Sequence, residues 1–192
     1  MFDVLLIRPG STTFDEEGRM KGALDIPLTP DGTRQVELAA EQLAKYDLDC
    51  LYVAPCESAQ QTGLLFSKRC GWKRRTVECF RNVDHGLWQG KLVEEVRRHQ
   101  PRVYKQFQES PVNICPPGGE SLADARQRID ATVRKLGRRH RGGLIGLVVP
   151  EPMASLVRCA LLGCSFGDVW KSELDAGNWE LIRVEAPCPV LA

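Results

Sequence analysis

The sequence predicts an α/β protein of three layers, in which a doubly wound, mostly parallel sheet carries helices on both faces. Short uninterrupted apolar runs at 4–7, 50–54 and 143–149 are typical of strands that are buried on both sides. Apolar residues at helical spacing lie between these runs, so strand and helix alternate along most of the chain. Such an order favours parallel strands joined by helical crossovers, with functional residues collected where the strands end.

The composition favours one globular domain over residues 1–192. A chain of this length with 43% hydrophobic residues can bury about 70% of its unfolded surface, which suits one core. Its 26 basic and 25 acidic side chains nearly cancel, so the charge balance points neither to nucleic acid nor to a membrane surface. No apolar run approaches the ~20 residues of a membrane span, and the apolar start is too short for a secretion signal. We therefore expect a soluble, cytoplasmic protein.

The eight cysteines are predicted to be reduced packing residues. They are scattered along the chain without a Cys-x-x-Cys pair, which argues against a metal site or a disulfide framework. Cys79 and Cys159 fall inside predicted core segments, where a thiol behaves as a small hydrophobe. Disulfides are rare in the cytoplasm, and we expect neither a metal nor another cofactor.

The first half of the chain supplies two strands and a capped helix. After the strand at 4–7, the polar stretch 13–27 is predicted to be an irregular loop over the strand ends. Thr29 and Pro30 are typical of an N-cap and a first helical residue, so a helix should start there and pack its apolar face on the sheet. Pro55 should end the second strand.

In the second half of the chain, strands are predicted from apolar and β-rich segments, and helices from the capping residues and apolar spacing between them. Pro101 divides the segment 91–109 into two short helices. The other elements are a third strand at 76–80, a helix from Ser121 to about Arg139, a strand at 143–149, a helix that reaches Leu162 and a closing strand at 179–185.

Residues 6–12, which read Leu-Ile-Arg-Pro-Gly-Ser-Thr, resemble the Leu-x-Arg-His-Gly-x-Thr signature of the histidine phosphatase (phosphoglycerate-mutase-like) superfamily. Further resemblances follow in the family's order at 27–35, 55–62, 86–90 and 118–121. The likeness covers essentially the whole chain, and it implies the same three-layer α/β fold.

The resemblance also assigns positions in a site. In the family one histidine attacks phosphorus, two arginines and a second histidine bind the phosphoryl oxygens, and a glutamate protonates the leaving group. Arg8 matches the first arginine, whereas Ser58 stands at the second. Pro9 and Pro150 stand where the family has its histidines, and Asn82 where it has the glutamate. Proline supplies neither a nucleophile nor a titratable nitrogen.

These replacements imply a catalytically inactive member of the family with a binding or scaffolding role. No catalytic residue is expected at the replaced positions, and the residual anion-binding candidates are Arg8, Ser58 and His85. An unpaired buried guanidinium is costly, so a carboxylate should approach Arg8. The candidates are Asp15, Asp84 and Glu151, and Glu151 is favoured because it adjoins Pro150.

Two alternatives remain open. The first is a phosphoester hydrolase or mutase with a site rebuilt around Arg8, Asn82 and His85. The second is a nucleic-acid-associated protein that uses the basic segment 134–141, although cations also favour a helix C-terminus without any ligand. Cys56 at a helix N-terminus could have a lowered pKa, but a structural thiol is the preferred interpretation.

The partner expected for an inactive member is another protein or a second copy of the chain. The candidate contact segments are 87–107 and the apolar tail 186–192. A small phosphorylated ligand is left open, and neither nucleic acid nor a membrane is expected.

Overall fold

The computed structural model describes residues 2–109, 115–164 and 176–184. The strands are β1 (Phe2–Ile7), β2 (Cys50–Val53), β3 (Arg74–Thr76), β4 (Leu144–Val148) and β5 (Trp179–Val184). The helices are α1 (Thr13–Glu17), α2 (Pro30–Leu43), α3 (Glu57–Cys70), α4 (Val93–His99), α5 (Pro101–Glu109), α6 (Leu122–Arg139) and α7 (Met153–Leu162). The tail 186–192, predicted as a contact segment, lies outside the described residues.

The five strands form one sheet in the order β3-β2-β4-β1-β5. The β1, β2, β3 and β4 strands pair in parallel, and β5 closes the sheet antiparallel to β1. Helices cover both faces, so the predicted three-layer α/β fold is confirmed. The central strands are almost wholly buried, as their uninterrupted apolar sequence predicted.

The helix ends follow their sequence signals. The Gly32 N–H donates to the Thr29 hydroxyl at 2.9 Å, which caps α2, and the Asp124 N–H donates to the Ser121 hydroxyl at 3.1 Å, which caps α6. Pro101 separates α4 from α5, as predicted. Within the described ranges, no helix is both long and apolar enough to cross a membrane.

The predicted loop at 13–27 is wrong in part, because its start forms the short helix α1. Asp15 accepts hydrogen bonds from the N–H and the hydroxyl of Thr12, each at 2.7 Å, and this closes the first turn. Gly18, at φ +69°, ends the helix.

The predicted third strand at 76–80 is displaced toward the N-terminus. The observed strand β3 is exposed and polar, and it exists because it pairs with β2 in the register Val53 to Thr76. Beyond Val77 the chain leaves the sheet through a 3-10 turn that buries Phe80 completely. The adjacent Cys79 is exposed, which corrects its placement in the core, whereas Cys159 is buried as predicted.

Candidate functional site

The carboxyl ends of β1 and β4 bring the candidate residues to one edge of the sheet. Ile7 pairs with Val148 in parallel register, and the Val149 N–H donates to the Ile7 carbonyl at 3.0 Å. Arg8 and Glu151, which follow the two strands closely, therefore meet although 143 residues separate them. Ligands bind at this edge in open α/β sheets.

A buried ion pair joins Arg8 to Glu151. The Arg8 Nε donates to Glu151 Oε1 at 2.6 Å, and the Arg8 and Glu151 side chains are only 9% and 0% exposed. The second carboxylate oxygen of Glu151 accepts the Ser155 N–H, in the first turn of α7, at 3.1 Å. The prediction that Glu151 would approach Arg8 is confirmed.

Burial raises the pKa of Glu151 above the ordinary range of a glutamate carboxyl. The Arg8 guanidinium and the hydrogen bonds from Ser155 act in the opposite direction and offset part of that rise. The desolvated carboxylate is therefore a stronger base than an exposed one, and it lies beside a fixed positive charge.

A second carboxylate, which sequence reasoning missed, also lies beside Arg8. Glu180 Oε1, from β5, lies 3.4 Å from Arg8 Nη1 and 3.5 Å from Nη2. Its other oxygen accepts from the Arg158 Nε at 3.0 Å. Arg8 and Glu180 are 172 positions apart in the sequence, so no local signal indicated this contact, which the antiparallel pairing of β5 with β1 creates.

Asn82 lies beside the same pair. Its side-chain amide donates to the Gly22 carbonyl at 2.9 Å and to the Glu151 carbonyl at 2.8 Å, so both of its hydrogens are used. Asn82 is 3% exposed, and its Oδ1 has no hydrogen-bond partner in the structure. A buried oxygen without a partner is costly, and this one can accept a hydrogen bond from a molecule that binds beside Glu151.

The other predicted anion-binding residues are held by different contacts. His85 is fully buried, and its ring packs edge-on against Phe107 of α5 at 6.3 Å. Ser58 is buried in the first turn of α3, with its hydroxyl 3.8 Å from the Cys56 thiol. Neither of these contacts leads to Arg8, whereas Asn82 and Arg8 both bind Glu151.

Pro9 and Pro150 both accept backbone hydrogen bonds at this edge of the sheet. The Pro9 carbonyl accepts the Gly177 N–H at 2.8 Å, and the Pro150 carbonyl accepts the Ala154 N–H at 2.9 Å.

Burial raises the pKa of Cys56, contrary to the lowered value considered for a thiol at a helix N-terminus. The preferred interpretation, a structural thiol, therefore stands for Cys56.

A further buried pair, Asp15 and Lys21, lies in the segment that follows β1. Asp15 holds the Thr12 N–H and hydroxyl through Oδ2, and its Oδ1 forms a close ion pair with the Lys21 ammonium. Lys21 is 9% exposed, which its polar sequence surroundings gave no reason to expect. In the part of the chain that the structure describes, no cluster of three or more His, Cys, Asp or Glu could hold a metal ion.

The basic segment 134–141 lies at the opposite edge of the sheet. His140 Nδ1 is 3.0 Å from Asp49 Oδ2, and its Nε2 is 2.8 Å from the Tyr52 hydroxyl. These contacts attach the end of α6 to the start of β2.

Comparison with known proteins assigns the family. The model of the histidine phosphatase superfamily (branch 1) matches residues 4–192. The chain therefore belongs to the histidine phosphatase superfamily, as its sequence motifs implied.

Two relatives illustrate what the chain resembles. It is 28% identical over 185 residues to phosphoserine phosphatase 1 of Hydrogenobacter thermophilus, covering 96% of this chain and 88% of the relative. It is 26% identical over 144 residues to a metal-independent phosphoserine phosphatase of Arabidopsis thaliana, covering 73% and 60%.

Two solved structures have the same fold as this chain. A mutant phosphoserine phosphatase of Entamoeba histolytica in complex with phosphoserine superposes with a TM-score of 0.82 at 25% identity, covering 99% of this chain and 94% of that one. Bacillus stearothermophilus YhfR shares the fold with a TM-score of 0.83 at 23% identity, covering 97% and 93%.

These relatives contradict the prediction of a catalytically inactive protein. They are named as phosphatases, which points to phosphatase activity and favours the alternative of a rebuilt hydrolase site. The prediction considered only the groups that the family uses for its own chemistry. It treated the carboxylate beside Arg8 only as a partner for the buried charge and assigned it no part in catalysis.

Proposed function

We propose that the chain is a phosphoester hydrolase whose site is rebuilt around Arg8, Glu151 and Asn82. The observation that carries the proposal is the buried contact of 2.6 Å between Arg8 and Glu151 at the carboxyl edge of the sheet. Pro9 and Pro150 stand in this proposal where the family has its two histidines. The reaction accordingly proceeds without a phosphohistidine.

Arg8 holds the phosphoryl group. Its Nε donates to Glu151, and its two terminal nitrogens lie 3.4 and 3.5 Å from Glu180, at the long end of the hydrogen-bond range. A phosphoryl group can take over these weak contacts in the planar, two-pronged manner that guanidinium favours. Arg158 then remains as the cation that balances Glu180.

Glu151 is the general base. Its carboxylate removes a proton from a water molecule as the water oxygen bonds to phosphorus, the ester P–O bond breaks, and the departing oxygen takes a proton from solvent. Burial makes this carboxylate more basic, which suits it to the task. The Oδ1 of Asn82 accepts the second hydrogen of that water, and His85 supports the loop by its packing on Phe107.

A hydrolase fits this arrangement better than a mutase. A mutase of this kind keeps the phosphoryl group on the protein between its two transfers, and the proposed site has no nucleophile to carry it. The names of the relatives make phosphoserine the first substrate to test, with phosphoglycerates and an aryl phosphate beside it.

The test measures phosphate release in the parent protein and in two isosteric or near-isosteric variants. Arg8→Gln and Glu151→Gln should each lower kcat/KM by ~10²-fold or more, the usual scale for a lost general base or phosphate ligand. The matched controls are Arg97→Gln and Glu94→Gln, an exposed pair at 3.5 Å on α4, which should leave the rate unchanged. Thermal melts establish that each variant is folded. A parent protein that hydrolyses none of the substrates, or a fully active Glu151→Gln, would refute the proposal.

A further inference from the structure

Two cysteines meet at the C-terminal end of α7, away from the residues proposed for hydrolysis. Cys159 lies in the last turns of the helix, Gly163 reverses the chain at φ +68°, and Cys164 folds back onto the helix. The Cys164 thiol donates to the Cys159 sulfur at 3.3 Å. A contact between these two positions is common after a glycine that ends a helix, but it is ordinarily made by two inert apolar side chains. Here both groups are thiols.

The two sulfurs are close enough to bond. A disulfide requires a separation of about 2.05 Å, so the sulfurs must approach by only about a further 1.3 Å from their 3.3 Å contact. A rotation of either side chain about its Cα–Cβ bond moves its sulfur by a distance of this order.

The surroundings of the two thiols differ in a way that orders their reactions. Cys159 is buried, and burial together with the neighbouring Cys164 raises its pKa to about 12, so it keeps its proton at neutral pH. Cys164 is partly exposed, and Arg158 Nη1 lies 3.9 Å from its sulfur. A peroxide can therefore reach the Cys164 sulfur, whereas the buried Cys159 sulfur is shielded from it.

We propose that Cys159 and Cys164 are an oxidation site, in which a hydroperoxide first oxidises Cys164 and Cys159 then closes a disulfide with it. In the first step the Cys164 thiolate attacks a peroxide oxygen, the O–O bond breaks, and the oxygen that leaves is released as water or an alcohol. In the second step the Cys159 sulfur attacks the sulfenic acid, the S–O bond breaks, and water is lost. Two thiols and one hydroperoxide thereby give one disulfide.

This site lies two ionic contacts from Arg8. Arg158, which faces the Cys164 thiol, holds Glu180 at 3.0 Å, and Glu180 in turn approaches Arg8 at 3.4 Å. The inference itself does not depend on the proposed hydrolase activity.

The test maps the oxidised thiols by mass spectrometry on the full chain. Reduced protein is treated with hydrogen peroxide, residual thiols are alkylated, and the chain is digested with trypsin without reduction. Cleavage after Arg158 and Lys171 leaves both cysteines in one peptide, 159–171. The expected product is that peptide without alkyl groups and lighter by two hydrogens, and a reductant should restore both alkylation sites.

Two variants and one control complete the test. Cys159→Ser should trap the sulfenic acid, so that dimedone labels Cys164. Cys79→Ser removes an exposed thiol elsewhere and should leave the yield of the disulfide unchanged. A peptide 159–171 that remains doubly alkylated while the exposed cysteines are oxidised would overturn the inference, as would failure of dimedone to label Cys164 in the Cys159→Ser variant.

Discussion

At the scale of single residues, the Arg8 and Glu151 pair is the feature on which the account depends. Two charges taken out of water are costly, and their attraction repays the cost only when the geometry is good and the remaining polar atoms are satisfied. The contact at 2.6 Å and the Ser155 N–H on the second Glu151 oxygen repay part of that cost, but burial outweighs them, since the pKa of Glu151 is raised. A glutamate at this position costs stability at neutral pH, which is understandable where the carboxylate serves chemistry.

The raised pKa of Glu151 predicts how stability depends on pH. A carboxyl group whose pKa is higher in the folded than in the unfolded chain binds its proton more tightly when folded, so it adds stability below the unfolded pKa. That contribution is lost as pH rises through the folded pKa. The free energy of unfolding of the parent protein should therefore fall, relative to that of Glu151→Gln, as pH rises from about 4 toward neutral.

Urea unfolding of the two proteins across this pH range measures the difference. Glu94→Gln, on the exposed surface of α4, is the control and should track the parent protein at every pH. A difference between the parent protein and Glu151→Gln that grows in the opposite direction would mean that Arg8 outweighs burial at this carboxyl group.

At the scale of elements, the loop after β1 is held against the start of α2 by two glycines. A Cβ on Gly10 would lie 2.3 Å from the Gly32 carbonyl oxygen, and a Cβ on Gly32 would lie 2.1 Å from the Ser11 carbonyl oxygen. The two backbones therefore approach more closely than any side chain allows. This contact fixes the direction in which the chain leaves Arg8.

Gly10→Ala should accordingly destabilise the protein by ~2–3 kcal/mol, because rigid backbone atoms must move to admit the methyl group. The matched control is Gly142→Ala, where φ is +76° but the Cβ meets nothing within 4 Å. Its cost is limited to the backbone strain of about 1 kcal/mol. Chemical denaturation measures the free energy of unfolding of both variants. A loss of stability in Gly10→Ala that is equal to or smaller than the loss in Gly142→Ala would contradict the close packing described for this loop.

Elements whose signals are local could be predicted from the sequence, whereas those defined by a distant partner could not. The caps at Thr29 and Ser121 and the break at Pro101 act within one turn of the chain, and each lies where predicted. The strand β3 has no apolar pattern of its own and is defined by its pairing with β2, so its position was missed. The short helix α1 was also missed, although Asp15 closes its first turn and Gly18 ends it.

The same distinction applies to the candidate site. Glu151 could be predicted because it follows β4 directly, and the parallel pairing of β4 with β1 then brings it to Arg8. Glu180 and Lys21 could not be predicted, since their contacts arise from the antiparallel β5 and from an irregular segment. The inference of lost activity, which the named relatives contradict, was drawn from the positions of Pro9 and Pro150 and treated Glu151 only as a partner for the Arg8 charge.

At the scale of the whole molecule, the sheet separates two sets of polar contacts. The carboxyl edge holds Arg8, Glu151 and Asn82, while the opposite edge holds the contacts of His140 with Asp49 and Tyr52. Functional groups of an open α/β sheet collect at the carboxyl edge, so the proposed chemistry occupies the position that the fold favours. The chain has the family fold, and the proposed site differs from that of the family only in the groups that act at the carboxyl edge of the sheet.

The most direct test of this account is the stereochemistry of hydrolysis at phosphorus. A phosphorothioate substrate, made chiral at phosphorus by two different oxygen isotopes, is hydrolysed by the parent protein in water that carries the third isotope, and the configuration of the released thiophosphate is determined. Direct attack by a water molecule that Glu151 deprotonates is a single in-line displacement, so the account predicts inversion. Retention would show two displacements through a phosphorylated residue and would contradict the proposed mechanism, and a protein that releases no phosphate from any substrate would contradict the proposed function.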